Sequence, residues 1–481
     1  MMLKKNKMLM RQTVLAAALG WLCTSSAVAQ TQNTTTQYEY DAMGNVTKIT
    51  NPLNAVSMQT YDSLGRLQTQ VDPSSKTTQY TYDGQGRLIQ VMDARNLSTF
   101  YTLDGLGNQL SLQSPDTGTT TNTVDLAGNI LTRTDAKGQI TTYTYDVLNR
   151  VTRIVYHDGK AVNYTYDQGN NGKGRLSQVA DENGSISYSY DGRGRVLSEV
   201  RVMNVGATPI TASTRYQYDS VGRLANQTYP NGRKLSYTYD TMSRIVQIDT
   251  SKDGISSTVL SQVNYRPFGG VQAYTNSAGQ TNSKGFDLDG RITSYTLNSQ
   301  VQAITYDAAN RIISINQVNN TARQASYNYD ALDRLTNYVT PQATQGFTYD
   351  AVGNRTTQTL GAATTNYAYA SNSNRLTQVA GSQTNTIVMD PNGSTTNNGN
   401  IQFNYDTRGR MVSANTAAGL VQYYVNPLGQ RVQKWRMGTA GNPDIVSLYH
   451  YDLGGKLVSE KTGEQEIDYL YLGDIPVAVI Q

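Results

Sequence analysis

The sequence predicts an all-β protein made of one long series of hairpins. Three observations carry this: a tyrosine–aspartate pair recurs about every 21 residues, ring and β-branched residues alternate on either side of it, and helical periodicity is absent after residue 29. The pair, or a relative such as Leu103-Asp104 or Val124-Asp125, begins at 40, 61, 82, 103, 124, 145 and 166, with every gap equal to 21. Later copies begin at Tyr190, Tyr218, Tyr239, Tyr265, Phe286, Tyr306, Tyr329, Tyr349, Tyr369, Tyr405, Tyr424, Tyr451 and Tyr471, with a degenerate copy near Val388.

Within a copy, Tyr61-Asp62-Ser63-Leu64-Gly65-Arg66-Leu67 places Asp first and Gly fourth in a turn, as type I geometry prefers. The fourth place requires a left-handed residue, and Asn149, Asn310, Asp333 and Ser243 substitute for Gly there. The short turn explains why acids are almost always Asp, Glu occurring only at 39, 182, 199, 460, 464 and 466. Before the turn, Tyr80-Thr81-Tyr82 and Tyr143-Thr144-Tyr145 alternate as half-buried strands do; after it, Leu67, Leu88, Val151 and Leu176 open a second strand. A second turn follows half a repeat later, at Asn51-Pro52, Asp72-Pro73, Asp93, Ser114-Pro115 and Asp135 to Gly138. Two strands per copy make about forty in all, a width of roughly 190 Å at 4.8 Å spacing. Open twisted sheets rarely pass about ten strands, so this one is expected to wind into a spiral shell or barrel. Gly/Ser/Thr/Asn-rich insertions at Arg201 to Arg215, Thr250 to Gln262, Ala380 to Asn400 and Arg436 to Ser447 are expected to be mobile loops.

Composition narrows the function. Apolar residues make up 38% of the chain, below the roughly 45–50% usual for globular proteins. Its aromatic residues are 35 Tyr, 5 Phe and 2 Trp. One cysteine, Cys23, and two histidines, His157 and His450, exclude disulfide scaffolds, Cys/His zinc clusters and a cysteine nucleophile downstream of residue 23. Residues 1–29 read as a signal peptide: Lys4, Lys5, Lys7 and Arg11, then the apolar run Val14 to Leu22, then Ala27-Val28-Ala29, with cleavage expected after Ala29. A lipoprotein anchor on Cys23 is disfavoured by Leu22 before it, and the apolar run falls short of the roughly 20 residues a membrane span needs. Removing this segment leaves 36 basic and 36 acidic residues from the original 40 and 36, so the mature chain, residues 30–481, is neutral. Neither nucleic acid nor an anionic membrane is expected as a partner. The protein is expected to be exported, secreted or held at the cell surface, as a single repetitive domain.

Few residues suggest chemistry. Repeated turn Asp residues cannot each serve in a glycosidase pair. Phe286-Asp287-Leu288-Asp289-Gly290 lacks the closing Glu of a calcium loop. No Gly-x-Ser-x-Gly elbow accompanies His157 or His450, which are expected to be ordinary surface or strand residues. Gly192-Arg193-Gly194 reads as turn rather than phosphate loop, since no helix follows. Tyr rings are expected to pack across strands, and Arg66, Arg87, Arg195, Arg223, Arg291 and Arg410 to form a charge ladder between copies. No catalytic, cofactor-binding or metal-binding residue is assigned, no cofactor is implied, and the protein is expected not to be an enzyme.

The unit Tyr-Asp-x-x-Gly-Arg-Leu, matched throughout by Tyr61 to Leu67, Tyr82 to Leu88 and Tyr218 to Leu224, resembles the YD-repeat, or Rhs, family over about residues 37–481. The resemblance implies a β-spiral shell like those of bacterial Rhs proteins, toxin-complex components and teneurins. Such shells enclose a toxic C-terminal segment or act at cell surfaces in adhesion and carbohydrate recognition. The segment Tyr469 to Ile480 looks like the strand before the Rhs core, whose Asp-His-Leu-Gly-x-Pro-Arg motif and toxin domain are absent from this sequence. The expected partners are therefore a glycan or cell-surface receptor, an enclosed polypeptide, or a separate Rhs core. The alternatives are a glycosidase using Asp pairs and an inactive remnant of a longer toxin.

Overall fold

The computed structural model describes residues 34–205, 208–267, 269–297, 299–438 and 443–481. The expected signal peptide lies outside the described residues. Among the described residues forty-three strands follow one another, each pairing antiparallel with the next except between Thr384–Thr386 and Val388–Met389, with one 3-10 turn at Thr321–Arg323.

One repeat shows how the chain makes this. Strand Val56–Tyr61 enters a turn in which the Asp62 carbonyl accepts from the Gly65 N–H at 2.9 Å. Asp62 Oδ1 accepts the N–H groups of Leu64 and Arg66, and Oδ2 accepts Arg66 Nε at 2.7 Å. Gly65 has φ +74°, and Asn149, Ser243, Asn310 and Asp333 adopt φ between 60° and 66° at the same place, as expected. The next strand, Leu67–Val71, ends in a half-repeat turn built the same way, with Asp72 Oδ1 accepting from Ser74 and Lys76.

The two ends of a repeat differ in register. Thr60 faces Thr69 but Tyr61 faces Leu67, so Gln68 bulges out; across the half-repeat turn, Thr69, Gln70 and Val71 face Gln79, Thr78 and Thr77 without a break. The same slip recurs at Tyr82, Tyr145, Tyr239, Tyr306 and Tyr451. A bulge bends its strand and adds twist. Repeated at one end of each hairpin, it makes the wide sheet curl.

The ladder runs unbroken through 33 strands to Thr384–Thr386, breaks at Ile387, and resumes at Val388–Met389 for 10 strands more. The degenerate copy near Val388 thus keeps its turn, with the Asp390 carbonyl accepting from Gly393.

Two expectations need correction. The insertions Arg201 to Arg215 and Thr250 to Gln262 are mostly strand, Val196–Met203 with Ile210–Tyr218 and Ile245–Lys252 with Ile255–Tyr265. Their extra residues lengthen hairpins because Arg201, Met203, Ala212 and Thr214 find cover there. The copy beginning at Tyr424 is displaced by one: its turn opens at Asn426, so Val425 holds the tyrosine place. His450, expected as a surface or strand residue, lies in strand Ile445–Tyr451 and is buried, 8% exposed.

Curling brings the chain back onto itself. Hydrogen bonds join residues 214 to 281 positions apart, which is one lap of the winding. No residue from 34 to 161 is fully buried. The main apolar clusters instead lie where later strands cover earlier ones: Leu235, Ile248 and Leu260 with Val458, Leu470 and Leu472, and Met203 and Ala212 with Val432. Leu235 and Ile248 share a face with Tyr237, whereas Leu470 and Leu472 lie opposite Tyr469 and Tyr471. At Leu470 and Leu472 the second lap therefore lays the face opposite its tyrosines on the tyrosine face of the first.

Candidate functional site: the seams of the wall

Two kinds of seam hold the wall. The first joins neighbouring repeats. Tyr82 donates its hydroxyl to the Leu67 carbonyl at 2.9 Å, and Tyr145, Tyr239, Tyr306 and Tyr471 do the same to Ile130, Leu224, Ile292 and Leu457. The guanidinium of Arg66 stacks 4.8 Å above the Tyr82 ring while Nη1 donates to the Asp83 carbonyl. Arg311 and Arg334 repeat this on Tyr329 with Asp330 and on Tyr349 with Asp350. One arginine therefore clamps its own turn through Asp and grips the next repeat through a ring face and a carbonyl. Where Asn replaces it, as at Asn108 and Asn129, Nδ2 still closes the turn on Asp Oδ2.

The expected charge ladder between copies is thus mostly within copies, because the turn brings Arg66 Nη2 to 2.6 Å from Asp62 Oδ2. Arg150 with Asp167 and Arg311 with Asp333 are pairs that cross between copies. The Arg66 guanidinium and then its backbone N–H hold the Asp62 carboxyl below the usual carboxylate range. Asp287 is used in the same way by Arg291. Among the described residues there is no group of three or more His, Cys, Asp or Glu that could hold a metal.

The second seam joins laps. Half-repeat turns of the first lap meet the tyrosine–aspartate turns of the second. Arg95 donates to the Ala370 and Ser373 carbonyls, Asn374 N–H and Arg375 Nε donate to Asp116, and Asn392 donates to Asp135 at 2.7 Å. Arg408, its side chain 5% exposed, pairs with Asp181 at 2.7 Å, whose side chain is 0% exposed. Burial pushes the Asp181 carboxyl up while Arg408 pulls it back.

Where faces meet, a polar row is sealed in. His450, Ser459 and Asp468 stand opposite one another on adjacent strands, all buried. Asp468 is held by Asn231 at 2.8 Å and by Arg233 Nε at 2.5 Å, and Glu199 lies against Arg201 in the same layer. Burial, then the charge of Arg201, lowers the His450 imidazole to about 4, so it is neutral at physiological pH. Neither His450 Nδ1 nor Ser459 Oγ has a hydrogen-bond partner among the described residues, so the two are not paired as base and hydroxyl.

Arg95, Arg375, Arg408, Arg233 and Asp468 were not singled out from the sequence. Arg375 is an ordinary repeat arginine before Leu376, and Arg233 stands where other copies carry Lys76 and Lys160, so nothing local sets these residues apart. Which lap each would meet is not written locally.

These residues match known families. Residues 271–442 match the family described as Teneurin YD-shell, and residues 19–56, 61–96, 124–161, 171–202 and 218–255 match RHS Repeat. The chain belongs to the YD-repeat, or Rhs, family. The YD chain superposes on the crystal structure of TcdB2-TccC3-Cdc42 with TM-score 0.76 at 16% identity, covering 91% of this chain and 28% of that one. It likewise matches the Photorhabdus luminescens Tc holotoxin pore carrying the TccC3-D651A mutation, with TM-score 0.75 at 16% identity, covering 91% of this chain and 27% of that one. The tRNA(Glu)-specific nuclease WapA of Bacillus subtilis subsp. natto (strain BEST195) is 26% identical over 17% of this chain and 4% of its own length. The YD chain therefore spans little more than a quarter of the solved chains and a small part of the nuclease. No described helix is long and apolar enough to cross a membrane.

Proposed function

We propose that this YD chain is a structural wall, exported from the cell, that encloses a polypeptide in the manner of a toxin-complex shell, and that it performs no catalysis of its own. The observation that carries the reading is the uncovered tyrosine face of residues 34–161. That stretch has neighbouring repeats locked edge to edge and no buried core of its own, whereas a self-sufficient sheet would bury one face against a second layer. A wall so built is completed by what lies against it. The similarity of fold to TcdB2-TccC3 and the turn-on-turn seam of two laps support this reading.

Joining an unstructured, protease-sensitive reporter to Gln481 tests it. Enclosure predicts that the reporter resists protease at concentrations that digest the free peptide; cleavage at the free rate overturns it.

A second reading, surface adhesion through carbohydrate contact, draws on the exposed face opposite the tyrosines. Paired hydroxyls line it: Thr60 with Thr69, Thr123 with Thr132, Thr305 with Ser314 and Thr348 with Thr357. Binding to a glycan panel that survives protease protection of the reporter would establish both roles; silence across the panel removes this one.

A further inference from the structure

The tyrosine face is not uniform. In most copies the residue two places before the repeat's own tyrosine is a second ring, as at Tyr80, Tyr143, Tyr164, Tyr237 and Tyr327. Three successive copies carry Val263, Lys284 and Ile304 there instead. Val263 is sealed into the apolar cluster between the laps, at 4% exposure. Lys284 and Ile304 are half-buried and border a hollow of about 260 Å³, with Tyr274, Ile292, Tyr295 and Ile475 among its other walls. Register puts the sheet residues of this hollow on one face. Tyr274 pairs with Asn282, two places before Lys284, and Lys284 pairs with Tyr295. Tyr295 pairs in turn with Gln302, two places before Ile304. The hollow thus lies where two neighbouring copies lack the ring, and Ile475 of strand Ile475–Ile480 stands at its side.

Its charge is also exceptional. Lys284 is the one charged residue at this place in any copy. Among the described residues it has no hydrogen-bond or ion-pair partner. The two acids of the turn that follows, Asp287 and Asp289, both pair with Arg291, at 2.6 Å and 3.7 Å. An unpaired ammonium at the wall of a largely apolar hollow lacks a counter-charge, and a carboxylate supplies one through a charge-assisted hydrogen bond. A few polar groups beside apolar and aromatic walls are the make-up of a small-molecule site.

We infer that this hollow binds a small amphipathic carboxylate, its apolar body against Ile292, Tyr295, Ile304 and Ile475 and its carboxylate on Lys284 Nζ. The volume decides the size of the ligand. At roughly 30 Å³ for each non-hydrogen atom, 260 Å³ takes about nine, which is one short chain or one ring and not a strand of polypeptide. The site stands independently of whether the wall encloses a polypeptide, since it needs only the folded chain.

Isothermal titration calorimetry of the full chain with octanoate tests it. Wild type should bind octanoate in a saturable one-to-one reaction, and 1-octanol, the uncharged analogue, about tenfold or more weakly. Lys284→Gln keeps the space but removes the charge, and should weaken octanoate about tenfold while leaving 1-octanol unchanged. Lys284→Tyr restores the ring that other copies carry, so it should fill the hollow and abolish binding with circular dichroism unchanged. Ile304→Tyr does the same from the next copy if Lys284→Tyr does not fold. No saturable heat with wild type, equal affinity for octanoate and 1-octanol, or undiminished binding by the tyrosine variants would overturn the inference. A capped Leu-Glu dipeptide that displaces octanoate at lower concentration than octanoate itself would overturn the assignment to a small free acid.

Discussion

Residues 34–161 and residues 162–263 are written in the same repeat yet occupy different environments. The first stretch is a single layer whose side chains are all at least partly exposed; the second contains Leu235, Ile248 and Leu260 at 1% exposure or less, roofed by Val458, Leu470 and Leu472. In the single layer, stability comes from contacts that recur at each repeat: the Asp-locked turn, the Tyr hydroxyl to the preceding repeat and the Arg on the next ring. In the roofed stretch those contacts persist, as with Tyr239 on Leu224, but burial between laps is added. The repeat chemistry thus builds the wall, and the lap contact decides where it is thick. Solenoid stability of this kind is a sum of repeats and their interfaces.

The sharpest way to break the contrast is at the roof. Leu470→Ala should cost about 2–5 kcal/mol in chemical denaturation, since its side chain is sealed between the laps. Val91→Ala, on the half-buried tyrosine face of the single layer, should cost about 1 kcal/mol. Equal losses would show that the layers are not distinct.

Next in size are the arginines. Arg408→Ala strands the buried Asp181 and should destabilise by about 3–5 kcal/mol, with hydrogen exchange rising at both laps. Arg66→Ala, at an open turn, should cost about 1 kcal/mol and loosen only its own and the next repeat.

Acid separates the regions by pH. His450 in the folded chain titrates near 4, below its unfolded value near 6.5, so the unfolded chain binds the extra proton between those values. Stability of the roofed part should fall as pH drops through that window, by up to about 3 kcal/mol, and be unaffected by this group above it. His450→Gln should flatten that slope relative to wild type. The turn aspartates act lower: carboxyls such as Asp62 are held below 3.8, so their contribution is lost only in stronger acid.

The smallest effect is at the tyrosine ladder. Tyr82→Phe should cost about 0.5–1.5 kcal/mol by removing the bond to Leu67, and Tyr239→Phe about the same, because both lose one hydroxyl bond of the same kind. A much larger loss at Tyr239 would show that the roof amplifies it.

Much of this was legible in the sequence. Tyr61 to Leu67 specifies its own turn, since a short carboxylate, a left-handed fourth residue and an arginine four places on close it without help from elsewhere. Strand alternation and the need to curl followed from the same local chemistry. The length of the Arg201 to Arg215 hairpin was misread because Gly/Ser/Thr content suggests loop, while Met203 and Ala212 become strand by gaining cover from Val432. His450 was expected as a surface or strand residue; its place in strand Ile445–Tyr451 agrees with the repeat Tyr451-Asp452 beside it, while its burial comes from the fold.

The amino-acid sequence by itself determined the hairpin, its two turns and its lock to the next repeat, because those contacts lie within about one repeat along the chain. Only the tertiary structure decided which copies meet a lap later, hence which charges pair and which face is roofed. Small bends, one per bulge, add up over the whole wall, and no single repeat records their sum.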